Sequence, residues 1–493
     1  MQAFLQEYFL ATIKHINKMH LNIVFLLKKY LLLIVIVCVG LFLRTYRISD
    51  FMVFIGDQGW FYISARDFLT EGAVPLVGIT SSHTWLHQGP LWTYVLAIAL
   101  FVFNFNPIGG AYLSILLDLM VIFVLYKLAR ELFSKNVGLI AACIYAISPL
   151  AVIHARMPYH TSPIPLLVSL FLLALYRLKK GNVYYFPVVI FLLSLLYNFE
   201  LATFILVFVL VFFVGHDLIA RKSWVSKLLE KEIVLLSIIA FIVPMIPILI
   251  YDFNNGFKQT VIFLFWILYS VLKPLFFHSS ETFLSGLNSM VHFIYEYNKR
   301  FIFLPNGFVA LTISLYSIFY IFFKMYKDLR EKKSTPYIFI SFCFLVPLVG
   351  LFVNKTPSEA YLPMLFPMLT IMVGVGIDKL LSVNKLSVIV SILFVLFILA
   401  NSNSLPSKKY LMSEPYGYGV PFSERLRVVE IIVTAADNKK YQLIGMGEGS
   451  KFESFTMNYQ YLLWWKSRNE PVKEMVDTTY YIEEKNGTIL LSE

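Results

Sequence analysis

The sequence predicts an all-α polytopic membrane protein that ends in a small soluble α/β domain. Of its 493 residues, 58% are hydrophobic and only 14% are charged, and the mean hydropathy is +0.72. Soluble domains contain about 25% charged residues, so this composition excludes a soluble globular protein. The abundant Phe and Tyr residues fit the aromatic belts that form at the two membrane surfaces.

Nine apolar stretches are long enough to cross a bilayer, for which a helix needs about 20 residues. They lie near residues 30–46, 110–128, 137–154, 162–178, 233–251, 302–323, 337–353, 360–378 and 386–400. The stretch 183–215 is too long for one helix, and its polar interruption at 197–200 divides it into two short ones. One further stretch, 90–106, begins at Pro90 and fits either a span or a helix at the membrane surface.

The basic residues decide the topology. If 90–106 lies along the outer leaflet, 21 lysines and arginines fall in the predicted cytoplasmic segments and nine in the outer segments before residue 401. Basic residues concentrate on the cytoplasmic side of membrane proteins, whereas a span at 90–106 would invert every later loop. We therefore predict 11 spans in the cell membrane, a cytoplasmic N-terminus and an extracytoplasmic C-terminus. Arg44 and Arg47, just after the first span, are exceptions to this distribution.

Two domains follow from this topology. Residues 1–400 form a transmembrane domain with a long first outer loop at 47–109 and a second long outer loop at 252–300. Residues 401–493 have mixed polarity and form the small extracytoplasmic α/β domain. Its helical patterns lie at 422–436 and 452–466, and its strand patterns lie at 441–446, 478–483 and 487–491.

Several other kinds of site are disfavoured by residue spacing. The net charge of +11 is spread over short clusters between apolar runs, so no nucleic acid partner is predicted. The three cysteines lie in apolar stretches without a CxxC spacing and are typical of small core residues. His83 and His87 are four residues apart, but no acidic partner completes a ligand set. No metal and no required cofactor is predicted, and a divalent metal is an unsupported alternative.

The first outer loop contains the leading catalytic candidate, Asp57. Gly56 and Gly59 allow the backbone to turn tightly there, and a helix is predicted over 60–69. Asp57 either caps that helix, where its charge suits the helix dipole, or acts as a general base at the membrane surface. Further along, 78–94 is polar and aromatic, which suits sugar binding and equally suits an ordinary interfacial loop.

Two acids lie at the level of the membrane. Asp118 falls inside a predicted span, where an ionisable residue indicates either a function or a buried structural partner. Glu200 falls at the outward break between two short helices, from which it could face a substrate cavity.

The order of these elements resembles the membrane glycosyltransferases with the GT-C fold. Nearest is the group of protein O-mannosyltransferase-like and aminoarabinose-transferase-like enzymes, which use polyprenyl-phosphate sugars. After the outward Asp57, the resemblance rests on Ala65-Arg66-Asp67, Gly89-Pro90-Leu91-Trp92-Thr93-Tyr94, the segments 141–149 and 154–159, and the segment 355–367.

The resemblance implies an inverting sugar transfer at the outer membrane face, with Asp57 activating the acceptor. The donor is then a sugar linked to a polyprenyl phosphate, which lies among the membrane lipids. The acceptor is a lipid, glycan or protein. The released phosphate needs cationic or hydrogen-bonding partners. The candidates for that contact are Arg66, Arg156, Lys355 and Tyr361, although basic residues at helix ends also simply snorkel. The substrate-binding candidates are Gln58, Tyr62, His83, His87, Tyr159 and Glu200.

One feature departs from that group. Many of its members have an acidic residue shortly after the arginine of the second outer loop. Here Arg156 is followed by Tyr159-His160-Thr161-Ser162-Pro163, which contains no carboxylate. A second catalytic acid is therefore not assigned.

Three other functions compete with this interpretation. A transporter or flippase of lipid-linked saccharides would often have matched broken helices in its two halves, whereas only 183–215 is interrupted here. A polymerase or ligase of surface polysaccharide would be expected to have its long outer loop late in the chain. The third alternative is an inactive scaffold with an external binding domain.

Overall fold

The computed structural model describes residues 30–81, 83, 85–276, 280–354, 358–404, 419–437, 439–474, 476–485 and 487–493. The first half of the transmembrane domain contains α1 (Tyr30–Thr45), α2 (Ile48–Phe51), α3 (Gly56–Glu71), α4 (Leu91–Val102), α5 (Ile108–Leu132), α6 (Lys135–Ile147), α7 (Pro149–Ala155), α8 (Ile164–Lys179), α9 (Tyr185–Phe199), α10 (Leu206–Ile219) and α11 (Ser223–Ser226). The second half contains α12 (Lys231–Asn254), α13 (Lys258–Phe276), α14 (Ser280–Ile302), α15 (Gly307–Arg330), α16 (Pro336–Asn354), α17 (Phe366–Leu381) and α18 (Ser387–Ser404).

The chain is a multi-pass membrane protein. Among the described residues, five helices are long and apolar enough to cross a membrane by themselves: Ile108–Leu132, Leu201–Ile219, Lys231–Asn254, Gly307–Arg330 and Ser387–Ser404. The pair α6 and α7 gives a sixth span if its two parts cross together. Exposed apolar side chains on these helices, such as Val211, Ile239 and Phe319, fit contact with lipid.

The predicted span at 137–154 is not one straight helix. It consists of α6 and α7, which meet at an angle of 64°. Ser148 separates them, and Pro149 follows at the first position of α7, where its missing N–H costs nothing but prevents α6 from continuing. The Ser148 hydroxyl then caps α7 by accepting from the N–H of Ala151 at 3.4 Å.

Three other segments show how the helices follow the apolar stretches of the sequence. The stretch 183–215 is broken where its polar interruption lies, because α9 ends at Phe199 and a 3-10 helix, Leu201–Ile205, leads into α10. The segment 252–300 is mostly helical, since α13 and α14 occupy most of it. Helix α4 has 12 residues and is about 18 Å long, which is shorter than the hydrocarbon core of about 30 Å.

A buried ion pair connects α1 to α5. It explains Arg44, one of the two basic residues that depart from the predicted distribution of charge. Nε of Arg44 donates to Asp118 at 2.6 Å, and both side chains are almost fully buried. The Tyr145 hydroxyl donates to the other oxygen of Asp118 at 2.5 Å, and the carbonyl of Ala146 accepts from Arg44 at 2.8 Å. Of the two interpretations of Asp118, the structure thus supports the one in which Asp118 is a buried structural partner.

The C-terminal domain is a small α/β unit. It contains α19 (Phe422–Ala436), β1 (Gln442–Met446), α20 (Met457–Ser467), β2 (Thr479–Lys485) and β3 (Thr488–Ser492). Strand β2 lies between β1, to which it is parallel, and β3, to which it is antiparallel. Glu484 of β2 joins the domain's elements, because it accepts from Arg425 of α19 at 2.7 Å and from Tyr459 of α20 at 2.6 Å.

Helix α20 begins five residues later than the predicted helix at 452–466, and the reason lies in a contact with α3. The preceding residues pass directly over the first turn of α3. A methyl group added at Gly56 would lie 2.2 Å from the carbonyl oxygen of Ser454, and one at Gly59 would lie 2.1 Å from the backbone nitrogen of Asn458. The two glycines therefore allow the C-terminal domain to pack closely against α3.

Candidate active site

Asp57 lies in the first turn of α3, which begins at Gly56 and not at residue 60 as the pattern predicted. The extra turn forms because the side chain of Gln58 accepts from the N–H of Ile55 at 2.9 Å and so caps the helix. Because Gln58 makes that cap, the half-buried carboxylate of Asp57 is free of the capping role. Two hydroxyl groups orient it instead. Ser454 donates to Oδ1 at 2.6 Å, and Tyr159 donates to Oδ2 at 3.1 Å.

Tyr159 reaches Asp57 from the loop between α7 and α8. Its ring contacts the edge of Phe61 and lies 4.0 Å, centroid to centroid, from the ring of His160. Burial, and next the charge of Asp57, raise the pKa of Tyr159 well above its usual value. The phenol consequently keeps its proton and acts as a donor to the carboxylate.

A second acid, Glu200, lies beside this first group and is paired with a histidine. Nε2 of His160 is 3.1 Å from Oε2 of Glu200, and both side chains are buried. The side-chain amide of Gln88 donates to the same oxygen at 3.3 Å, and the N–H of Ala202 donates to Oε1 at 3.1 Å. Glu200 lies at the break between α9 and α10. Its carboxylate thus reaches the loop after Arg156, whose own sequence up to Pro163 contains no carboxylate.

Three residues of this group were not among the sequence candidates: Ser454, His160 and Gln88. Both His160 and Glu200 occur at breaks between apolar stretches, and that shared position is the sequence signal that could have paired them. Ser454 had no such signal, because it lies within the helix predicted at 452–466 in the C-terminal domain.

Two arginines predicted to bind the donor phosphate are engaged elsewhere. Arg156 is buried, and its Nη1 donates to the carbonyl of Tyr46 at 2.8 Å and more weakly to the carbonyls of Leu43 and Arg44. It therefore caps the C-terminal end of α1. Arg66 pairs with Asp67 and Glu470. Their phosphate contacts stay predictions, and each arginine would have to release these partners to make one.

The remaining phosphate candidates lie late in the chain. Lys355 lies outside the described residues. Tyr361 is half-buried in the 3-10 helix Glu359–Met364, next to Glu359, which pairs with Arg300 of α14. This segment contacts α8 and α17, so it belongs to the same helix bundle as the Asp57 group.

The other substrate candidates fall into two sets. Tyr62 is buried with its hydroxyl donating to the carbonyl of Pro107 at 2.7 Å, which gives it a packing role. His83 and His87 lie on a short hairpin that Gln259 of α13 holds through the backbone of His87. The ring of His83 stacks on Trp85 at 5.6 Å. Among the described residues, no three His, Cys, Asp or Glu side chains are grouped to hold a metal ion.

Comparisons with known proteins agree with the predicted fold. Residues 87–251 match the family of dolichyl-phosphate-mannose-protein mannosyltransferases. This segment includes Tyr159, His160 and Glu200, and Asp57 precedes it. No curated protein sequence matches the chain.

Two kinds of solved structure share the fold. ArnT from Cupriavidus metallidurans, bound to undecaprenyl phosphate, gives a TM-score of 0.56 at 12% identity, over 90% of this chain and 86% of that chain. The Archaeoglobus fulgidus oligosaccharyltransferase, in complex with Zn and sulfate, gives 0.51 at 14% identity, over 89% and 62%. The archaeal enzyme AglB from the same organism, with an inhibitory peptide and a dolichol-phosphate, gives 0.51 at 15% identity, over 90% and 64%. The predicted resemblance in fold is confirmed.

Proposed function

We propose that this chain, a membrane glycosyltransferase with the GT-C fold, transfers a sugar from a polyprenyl phosphate to an acceptor at the outer membrane face, with Asp57 as the general base. One observation carries the proposal. The half-buried carboxylate of Asp57 is held from two sides by Ser454 and Tyr159. An acid fixed in this way at the start of an outer-loop helix suits proton removal from a positioned acceptor.

The donor class follows from the relatives. The matched family is described by its dolichyl-phosphate-mannose donor, and two of the related structures hold undecaprenyl phosphate or dolichol-phosphate. Both lipids are polyprenyl phosphates. A lipid-linked sugar also suits a site that lies among outward helix ends. The same relatives disfavour the transporter and polymerase alternatives.

The reaction is an in-line displacement. Asp57 takes the proton of the acceptor hydroxyl or amine, whose heavy atom then bonds to the anomeric carbon of the sugar. The bond from that carbon to the phosphate oxygen breaks, and the phosphate leaves with the electron pair on its lipid. The configuration at the anomeric carbon is inverted. The acceptor is a lipid, a glycan or a protein.

The phosphate of the departing lipid needs positive or hydrogen-bonding partners. Lys355 and Tyr361 are our leading candidates, because the segment 355–367 carries part of the sequence resemblance to the polyprenyl-phosphate-sugar group. Arg66 and Arg156 are secondary candidates, since their present partners would compete with phosphate.

The topology is part of the proposal. The first outer loop and the C-terminal domain touch at Asp57 and Ser454, so both must lie on one side of the membrane. The concentration of basic residues in the other loops favours the outside of the cell for that side. The N-terminus is then cytoplasmic, with a transmembrane domain at 1–400 and an extracytoplasmic domain at 401–493.

A transfer assay tests the proposal. Membranes containing the full chain are incubated with radiolabelled polyprenyl-phosphate sugars, and native protein is compared with Asp57→Asn. We expect the variant to lose about 100-fold or more of the transfer rate, as is usual for a lost general base. Asp50→Asn is the matched control, because Asp50 is a partly exposed outer carboxylate paired with Arg47. Equal transfer by native protein and Asp57→Asn would overturn the assignment.

A further inference from the structure

We infer that the C-terminal domain is a working part of the active site, and that its Ser454 is a positioning residue for Asp57. This inference rests on the proposed function of Asp57 as the base. It assigns a role to a domain that neither the sequence pattern nor the matched family segment, 87–251, explains.

The contact between the two residues is short and directional. The Ser454 hydroxyl donates to Oδ1 of Asp57 at 2.6 Å across 397 residues of sequence. Tyr159 occupies Oδ2. With one donor on each oxygen, the plane of the carboxylate is fixed, and the lone pairs that remain can face an acceptor in one orientation only. Fixing the base in this way is a general source of catalytic rate.

The position of Ser454 is itself fixed by close packing. Gly56 and Gly59 flank Asp57 in sequence, and no side chain larger than hydrogen fits at either one without displacing the C-terminal domain. The backbone of Ser454 therefore rests on the same helical turn that carries the base. Its hydroxyl has little freedom to move away.

Further bonds hold the domain in the same place. The side-chain amide of Asn458 donates to the carbonyl of Phe54 at 3.0 Å, and the hydroxyl of Tyr461 donates to the carbonyl of Phe105 at 2.7 Å. Arg66 of α3 stacks on Trp464 at 4.9 Å. These contacts surround the Ser454–Asp57 hydrogen bond, so the C-terminal domain forms one side of the site.

The positioning role has a measurable kinetic consequence. A carboxylate that has lost one of its two donors reaches the acceptor proton in the productive orientation less often, which slows the chemical step. Binding of the lipid-linked sugar does not use this hydrogen bond. Loss of the Ser454 hydroxyl should therefore lower kcat and leave the KM for the donor unchanged.

The test measures kcat and the KM for the lipid-linked sugar separately with the full-length protein. For Ser454→Ala we expect kcat to fall by about tenfold, as for the loss of one hydrogen bond to a charged group, with the KM unchanged. Ser454→Thr keeps a hydroxyl and should restore the native kcat. Ser450→Ala is the control, because the Ser450 hydroxyl bonds to the carbonyl of Gly447 within the same segment.

Three outcomes separate the inference from the proposed function. A loss of rate in Ser454→Ala that Ser454→Thr does not restore would mean that Ser454 only packs, and a native rate would mean that it does nothing; either result overturns the inference. If Asp57→Asn stays active, the proposed function fails whatever Ser454 does. If Asp57→Asn is inactive and Ser454→Ala loses kcat alone, both stand.

Discussion

Nε2 of His160 lies 3.1 Å from Oε2 of Glu200, and this buried pair supports the loop from which Tyr159 reaches Asp57. The ring of His160 packs against Tyr159 on one side and Phe61 on another. The candidate base is therefore held by a chain of contacts that begins at the break between α9 and α10. Five measurable consequences follow from this arrangement and from the packing around it.

Glu200→Gln should reduce sugar transfer by about tenfold or more and lower the free energy of unfolding by about 1–3 kcal/mol. The amide keeps the shape of the carboxylate, but it cannot satisfy His160, Gln88 and Ala202 together as the two oxygens do. Transfer rate and thermal unfolding are measured on the same preparation. Glu296→Gln, at a partly exposed carboxylate near Lys299, should leave both unchanged. A native rate for Glu200→Gln would separate Glu200 from the site.

Tyr159→Phe should lower the transfer rate by about tenfold, which corresponds to the net worth of one hydrogen bond to a charged group. The variant keeps the ring contacts with Phe61 and His160. A loss of stability without a loss of rate would show that the phenol serves packing alone.

The same tyrosine makes a prediction about pH. Burial and Asp57 raise the pKa of Tyr159 well above its usual value. The phenol is neutral below that raised pKa, so its bond to Asp57 persists as the pH rises through 10. We expect native protein to show no Tyr159-dependent loss of rate up to that pH. An alkaline loss near pH 10 that disappears in Tyr159→Phe would contradict this environment.

Gly59→Ala should weaken transfer strongly without altering any charged group. The added methyl would meet the backbone of Asn458 at 2.1 Å, and a backbone cannot move aside as a side chain can. We expect the C-terminal domain to separate from α3, which limited proteolysis would detect as faster cleavage. Gly215→Ala is the control, because a methyl there meets no atom within 4 Å. Equal protease resistance in the two variants would argue against the close packing.

Asp118→Asn should destabilise the fold, because it leaves Arg44 buried without its charged partner. Breaking such a pair typically costs about 3–5 kcal/mol, which thermal unfolding in detergent can measure. Asp50→Asn breaks the partly exposed pair with Arg47 and should cost less than about 1 kcal/mol. Similar losses in the two variants would contradict the buried role of Asp118.

Features that depend on local pattern were predictable from the sequence. Hydropathy identified a multi-pass membrane protein, and the polar interruption before Glu200 marked the break between α9 and α10. The strands of the C-terminal domain also fall within a residue or two of their predicted ends. In these cases the sequence pattern lies in the same short segment as the structural element that it predicts.

Contacts between distant segments were not predictable. Ser454 meets Asp57 across 397 residues. Arg44 and Arg156 were also misleading, since a basic residue beside an apolar run has the same pattern whether it snorkels or is buried. Burial decides between the two, because Arg44 pairs with Asp118 and Arg156 caps α1. Only the packing of several helices produces that burial.

The central claim is that Asp57 removes the acceptor proton. It is tested most directly by single-turnover release of polyprenyl phosphate from a labelled lipid-linked sugar, with native protein, Asp57→Asn and Asp57→Glu in membranes of the same composition. We expect rapid release by native protein, a rate at least about 100-fold lower for Asp57→Asn, and an intermediate rate for Asp57→Glu, which keeps a displaced carboxylate. Release by Asp57→Asn at the native rate would contradict the account.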